Sequence, residues 1–423
     1  MSRVFFTKLT DLEEIASSED AFWGLLDTAL SNEMGILPYT LQEVPLGFTM
    51  DMLHRLLIPH WDNGGTAKFG QTLLHYAALR NCSSAVKWLI TEHHYTTESL
   101  DVFGDSPLMT AVQSGSEQTV CRLVSCGAQV NLRDAEGFTA LHHAAQGGTG
   151  DPAKIGVYFR MVKVLLDGGA NINAVCMKEG STALHMAAHA GHIKIVVLLL
   201  RCGAFYDLKD SWGYTPLHRT ITKNAHQKTA SILLACGANV HSLNCTNGSP
   251  LHDAFEFCKD PENMLCEILC YSAEADFNVP DNHGNTLLHK CAPFEWLMRS
   301  LLEDPDNDVN KRNNMGNTPM HHMAITNQKY GVATVGILPA MQLLLDEGAW
   351  LETQNNLGMT VRDSATLLHL QDVIELLDKE VERRRQRKLA VVMAFHPRLG
   401  AKSIVSLVNE EVFHIVNKVG GVE

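Results

Sequence analysis

Apolar and polar positions along this chain follow a pattern that returns at a fixed period. Each return opens with a short stretch of Leu and small residues and passes through a polar linker. It continues as an apolar run at helical spacing closed by Gly-Ala: VKVLLDGGA from Val162, IVVLLLRCGA from Ile195, ASILLACGA from Ala230 and MQLLLDEGA from Met341. Apolar residues at i, i+3 and i+4 line one face of a helix, so the pattern predicts two helices per unit. The Gly after the second run ends that helix in the left-handed conformation.

One phrase starts every unit. It reads GQTLLHYAA from Gly70, GDSPLMTAV from Gly104, GFTALHHAA from Gly137, GSTALHMAA from Gly180 and GYTPLHRTI from Gly213. It returns as NGSPLHDAF from Asn247, GNTLLHKCA from Gly284, GNTPMHHMA from Gly316 and an eroded GMTVRDSAT from Gly358. Successive starts lie 34, 33, 43, 33, 34, 37, 32 and 42 residues apart. The Thr or Ser before the first helix caps an orphan N–H, and Pro, where present, has φ already set for the first helical position. The Leu faces the core, and the paired small residues let neighbouring units approach closely. Such a unit cannot bury its apolar face alone. The chain is therefore expected to be a stack of units, not the two or three globular domains that 423 residues suggest.

These nine copies resemble the ankyrin repeat. The resemblance implies an all-α fold, an ankyrin-repeat α-solenoid with two helices and a β-turn per unit, over residues 66–380. The two long spacings place insertions near 147–160 and 327–339, both expected as loops between the first and second helix of a unit. Residues 1–65 carry no repeat, but LTDLEEIASSEDAFWGLLDTAL and FTMDMLHRLLIPHW read as amphipathic helices forming an N-terminal cap. Residues 381–423 read as a basic stretch and a C-terminal helical tail.

Composition narrows the function. The chain has 34 Lys plus Arg against 47 Asp plus Glu, a net charge of −13, which argues against nucleic acid as a partner. Its longest apolar stretch, Leu389 to Phe395, is far below the ~20 residues that span a bilayer, so no membrane insertion is expected. The start, MSRVFFTKLTDLEEIASSED, lacks the apolar core of a secretion signal. Eleven cysteines with no CxxC pair read as reduced thiols, which points to the cytoplasm or the nucleus.

Catalytic, cofactor and metal sites are not expected. His75, His142, His185, His218, His252, His289 and His321 share one slot of the repeat, one per unit and too far apart to hold one ion. In ankyrin repeats this imidazole bonds the backbone of the neighbouring turn, which makes the slot structural. His143 and His322, beside it, complete no ligand set by spacing. Cys126, Cys202 and Cys236, each before Gly-Ala, read as core, and Cys266 and Cys270, one helical turn apart with Cys258 nearby, read as buried thiols. No phosphate-binding Gly loop, GxSxG or HExxH occurs. A Ser/His/Asp grouping assembled only by folding would not be visible in the sequence.

The expected function is a non-catalytic scaffold or adaptor for protein–protein interaction. Phe69, Phe103, Phe138, Trp212, Tyr214 and Met315 flank the turn glycines, where burial does not dictate identity, and aromatic anchors there favour a partner surface. Truncating Trp212 and Tyr214 together is expected to leave the fold intact and weaken binding. Arg383, Arg384, Arg385, Arg387 and Lys388 read either as a solvated helix end or as a nuclear-import signal. Leu407, Glu410, Val412, Ile415 and Val419 resemble the opening helix of an F-box, with Val408 in place of its Pro. That resemblance implies the alternative of a substrate receptor for a cullin-type ubiquitin ligase, against a plain capping helix. Finally, Leu302 to Asn310 resembles the target of the asparaginyl hydroxylase that acts on ankyrin repeats, which implies modification of Asn310 ahead of Asn131 and Asn173.

Overall fold

The fold is that of a computed structural model, which describes residues 70–395 apart from 93, 149–150, 152, 222–225, 258–260, 271–277, 293, 305 and 327–336. Among these residues the chain forms eighteen helices and no strand. Odd-numbered helices start at the repeated phrase: α1 (Leu73–Leu79), α3 (Pro107–Gln113), α5 (Ala140–Gln146), α7 (Ala183–Ala190), α9 (Pro216–Ile221), α11 (Pro250–Phe257), α13 (Leu287–Lys290), α15 (Pro319–Thr326) and α17 (Val361–Leu367). Even-numbered helices are the second runs: α2 (Ser83–Thr91), α4 (Glu117–Ser125), α6 (Ile155–Asp167), α8 (Ile193–Arg201), α10 (Gln227–Ala235), α12 (Pro261–Cys270), α14 (Glu295–Leu302), α16 (Leu338–Asp346) and α18 (Gln371–Phe395).

The helices gather into two compact units, one holding α1–α10 and α12, the other most of α11 with α13–α18. In the first, α1, α3, α5, α7 and α9 pack side by side in order, and α2, α4, α6, α8, α10 and α12 form a second such layer. In the other, α13, α15 and α17 form one layer and α14, α16 and α18 the next. Between layers lie the phrase leucines Leu74, Leu108, Leu141, Leu184 and Leu217, with Leu123, Leu165 and Leu199 from the second helices, all buried. Each such side chain stabilises the stack by about 1.5–3 kcal/mol. Ala144, Ala145, Ala187 and Ala188 are fully buried where first helices meet, so a larger residue there would force the layers apart.

The slot histidines hold each turn to the next. Nδ1 of His185 accepts from the backbone N–H and hydroxyl of Thr182 at 3.2 and 2.8 Å, and Nε2 lies 3.1 Å from the carbonyl of Tyr214 in the following hairpin. The same reach joins His75 to Asp105, His142 to Ser181, His252 to Asn285, His289 to Asn317 and His321 to Met359. In the eroded ninth copy Asp363 replaces the histidine, and its carboxylate accepts from the N–H and hydroxyl of Thr360 at 2.9 and 2.7 Å. The local turn survives the substitution because the carboxylate supplies the same acceptor as the imidazole.

Several expectations need correction. The insertion near 147–160 is not all loop: α6 begins at Ile155 and runs 13 residues, against 9 in α4, α8 and α10. Its Tyr158 is buried over Gly147, where an added Cβ would come within 2.2 Å of the ring. Residues 1–65, the insertion from 327 to 336, and the F-box-like and tail segment beyond Phe395 lie outside the described residues. The basic run is not a helix end but sits inside α18. There Arg383 pairs with Asp346 at 3.2 Å, and Arg384 pairs with Glu380 at 2.9 Å and bonds the Leu345 carbonyl at 3.2 Å, so two of its charges fasten α18 to α16. Cys202, Cys236, Cys266 and Cys270 are exposed and Cys126 is half-buried. The residue before Gly-Ala is the C-cap of the second helix, turned away from the neighbouring layer.

Candidate functional site

Between successive helix pairs the chain makes a hairpin, and an Asx residue shapes its tip. One oxygen of Asp210 accepts from the N–H groups of Trp212 and Tyr214, each at 2.9 Å. Asp101, Asp134, Asp281, Asn313 and Asn355 make the same pair of bonds to the residues two and four positions later. Side-chain capture of nearby N–H groups is what favours Asp and Asn in turns. The tips then join one another: Ala135 donates to the carbonyl of Phe103, Met177 to Glu136, Ser211 to Glu179 and Cys245 to Trp212, at 2.9 to 3.1 Å. At Gly213 φ is +75°, and an added Cβ would lie 2.8 Å from the backbone nitrogen of Cys245, so conformation and contact both require glycine.

This geometry splits the sequence-predicted anchors into two kinds. The residue before the tip glycine has its carbonyl taken by the next hairpin and its side chain outward, leaving Phe103, Trp212 and Met315 exposed at 55%, 46% and 62%. The residue after the glycine turns back onto the first helix. Phe138 is half-buried, 5.8 Å from the ring of His142 and 5.7 Å from that of His143, and Tyr214 is half-buried 5.6 Å from His218. Tyr214 is thus partly a packing residue, and its truncation is expected to cost stability as well as binding. Phe69 lies outside the described residues.

Sequence reasoning missed the partners of the tip carboxylates. The second oxygen of Asp210, whose side chain is wholly buried, pairs with Arg219, and the guanidinium lies 5.1 Å from the ring of Trp212 and 5.3 Å from that of Tyr214. Asp281 holds Lys290 at 2.9 Å and Asp134 holds His143 at 2.9 Å. In all three the base sits nine residues after the acid, directly behind the slot histidine, and that spacing was readable. His143, which completed no ligand set by spacing, also approaches Asp105, so that ligand atoms of Asp105, Asp134 and His143 lie within 4.8 Å of one another. Burial pushes the Asp105 carboxyl up from its ordinary value, against two hydrogen bonds from Gln113 at 3.1 Å.

Two grooves follow from these tips. In the first unit, one of about 620 Å³ is lined by Asp134, Glu136, Phe138, Glu179, Tyr214 and Arg219 among others. In the second, one of about 390 Å³ is lined by Met315, Ile325, Leu357, Met359, Leu367 and Leu368 with asparagines. Asn310 stands apart from both, half-buried, its side-chain oxygen accepting from the Trp350 N–H at 2.7 Å. Asn131 and Asn173 reach Asn171 and Phe205 in the same way. No described helix is long and apolar enough to cross a membrane.

A family model of ankyrin repeats (3 copies) matches residues 46–134, 109–210 and 152–244. Transient receptor potential cation channel subfamily A member 1 of Homo sapiens is 23% identical over 328 residues, covering 67% of this chain and 28% of that protein. SH3 and multiple ankyrin repeat domains protein 2 of Homo sapiens is 31% identical over 187 residues, 44% of this chain and 9% of that one. Inversin of Mus musculus is 31% identical over 221 residues, 51% of this chain and 20% of that one. The chain therefore spans less than a third of each of these relatives. A solved structure, the ankyrin repeat domain of Bcl-3, has a TM-score of 0.44 and 26% identity, covering 52% of this chain and 93% of that chain. The repeated phrase, the capped helix pairs and the family match agree that this chain carries ankyrin repeats.

Proposed function

We propose that this chain is a non-catalytic scaffold or adaptor that binds a protein partner along the tips and groove of its first unit. The observation that carries this reading is the exposure of Phe103 and Trp212 on tips whose backbone is already fixed by Asx bonds and by the next hairpin. Large apolar side chains held on a rigid edge lose little entropy when a partner covers them, which is the property of binding hot spots. Phe138 and Tyr214 form the groove wall behind them, and Met315 is the corresponding anchor of the second unit. A binding role instead of a catalytic one is supported by the slot histidines, whose ring nitrogens are engaged with turn backbone.

The test is proximity labelling in cells with the full chain and with Phe103→Ala and Trp212→Ala. Phe103→Ala is expected to keep the wild-type melting temperature, Trp212→Ala to lower it slightly through its lost contact with Arg219, and both to lose a common set of labelled proteins. An unchanged set in both would refute the proposal.

A further inference from the structure

The row of residues that precede the tip glycines in the first unit reads Phe103, Glu136, Glu179, Trp212, two carboxylates between two apolar side chains. All four carbonyls are fixed by the following hairpin, so the row is a rigid edge with a set order of chemistry. The corresponding residues of the second unit, His283, Met315 and Leu357, carry no carboxylate. The acid is therefore a property of this edge and not of the repeat.

Little nearby positive charge answers these carboxylates. Arg219, the groove's arginine, is committed to the buried Asp210. Glu136 pairs with Lys178 at 2.5 Å, but both side chains are more than half exposed, and an ion pair in that setting exchanges partners at little cost. Glu179 is half-buried in the groove wall, and its carboxylate makes no hydrogen bond or ion pair among the described residues. Asp134 adds a further acid to the floor, shared with His143. Glu179 meets the exposed Lys178 only through space, and a half-buried carboxylate with no cation in contact loses hydration that a contacting charged partner would restore.

Resting on the groove as the partner surface, we infer that it receives a basic segment of a partner protein, one that sets lysine or arginine between apolar residues. The cations meet Glu179 and Glu136, and the flanking apolar side chains meet Phe103 on one side and Trp212 on the other. The order along the edge fixes this chemistry, because an acidic segment would bring like charges against the two glutamates. The groove, at about 620 Å³, lies within the range of sites that enclose side chains.

The test is fluorescence polarisation of the full chain with a labelled peptide carrying central arginines between leucine flanks, and with its counterpart that has glutamates in place of the arginines. The arginine peptide is expected to bind and the glutamate peptide not, with affinity falling as salt rises. Glu179→Gln should weaken the arginine peptide about tenfold, as loss of a charge-assisted contact does, while Glu352→Gln, the same charge change on an exposed residue of the second unit, should leave it unchanged. Equal weakening by both variants, binding of the glutamate peptide, or no binding of the arginine peptide would each overturn the inference. Comparison with the labelling experiment separates the two proposals. If Glu179→Gln keeps the partners that Phe103→Ala and Trp212→Ala lose, the groove stands and only the basic class falls. If all three keep them, both fall.

Discussion

Lowering the pH from 7 to 5 is expected to destabilise both units through the slot histidines, by an amount set by their surroundings. At His185 the Thr182 backbone N–H lies 3.2 Å from Nδ1. A backbone N–H can only donate, so Nδ1 accepts, and the single ring proton sits on Nε2, where it donates to the Tyr214 carbonyl at 3.1 Å. A second proton would set N–H against N–H. Burial above all holds His142, His185, His252 and His289 down at about 4, against an ordinary 6.5. The folded value lies below the unfolded one, so each contributes stability that is whole above pH 6.5 and is lost as pH falls toward 4. Between pH 7 and 5 the unfolded ring takes up nearly one proton that the folded ring refuses, a loss of about 2 kcal/mol per histidine. His142 and His185 belong to the first unit and His252 and His289 to the second, which makes about 4 kcal/mol for each.

Urea unfolding followed by circular dichroism, on wild type and His185→Ala, isolates one ring's share. At pH 7 the variant should be less stable by roughly 1–3 kcal/mol for its lost buried hydrogen bonds. At pH 5 that deficit should shrink by about 2 kcal/mol, because the variant has no ring there that must stay neutral. Glu117 and Asp363, held below the ordinary carboxylate value chiefly by hydrogen bonds from Arg160 and from Thr360, exert their effect at lower pH, and Asp105, which burial pushes up, is common to both proteins and cancels in the comparison. A deficit of the same size at both pH values would refute the reasoning.

Four further outcomes are expected. Gly213→Ala should lower the melting temperature more than Gly203→Ala, since both glycines have positive φ but only the first would drive a Cβ into the next hairpin; equal shifts would mean the tips are not in contact. Tyr214→Ala should cost about 1–2 kcal/mol by uncovering Arg219 and His218, whereas Phe103→Ala should stay within about 0.5 kcal/mol, both read by chemical denaturation. Asp210→Asn keeps an oxygen for the tip N–H groups but leaves the Arg219 charge without its buried partner, so a loss of about 3–5 kcal/mol is expected, and a near-neutral result would show that the pair is solvated. Co-expression with the asparaginyl hydroxylase should add one oxygen to Asn310 before Asn131, whose amide is tied at both ends, to Asn171 and Gly169; peptide mass spectrometry showing Asn131 modified first would reverse the ranking.

What could be read from the sequence was whatever one repeat asks of its neighbour in the same way each time. The Leu, the paired alanines and the slot histidine recur because every interface between stacked units poses the same packing and hydrogen-bonding problem, so period alone identified them. What escaped was direction. Phe103 and Phe138 look equivalent on either side of a glycine, yet the bond from Ala135 to the carbonyl of Phe103 turns the first outward, while the second packs back on the imidazoles. Direction is also why Cys202 and Cys236 were misplaced, since a C-cap and the last core residue are neighbours in sequence but face opposite ways. Glu136 and Glu179 stand in the same register as Phe103 and Trp212 but carry no aromatic ring to mark them in the sequence. Identity at that register is not dictated by the buried core, and so it is where specificity can be written: an acid there says as much about the partner as a ring does.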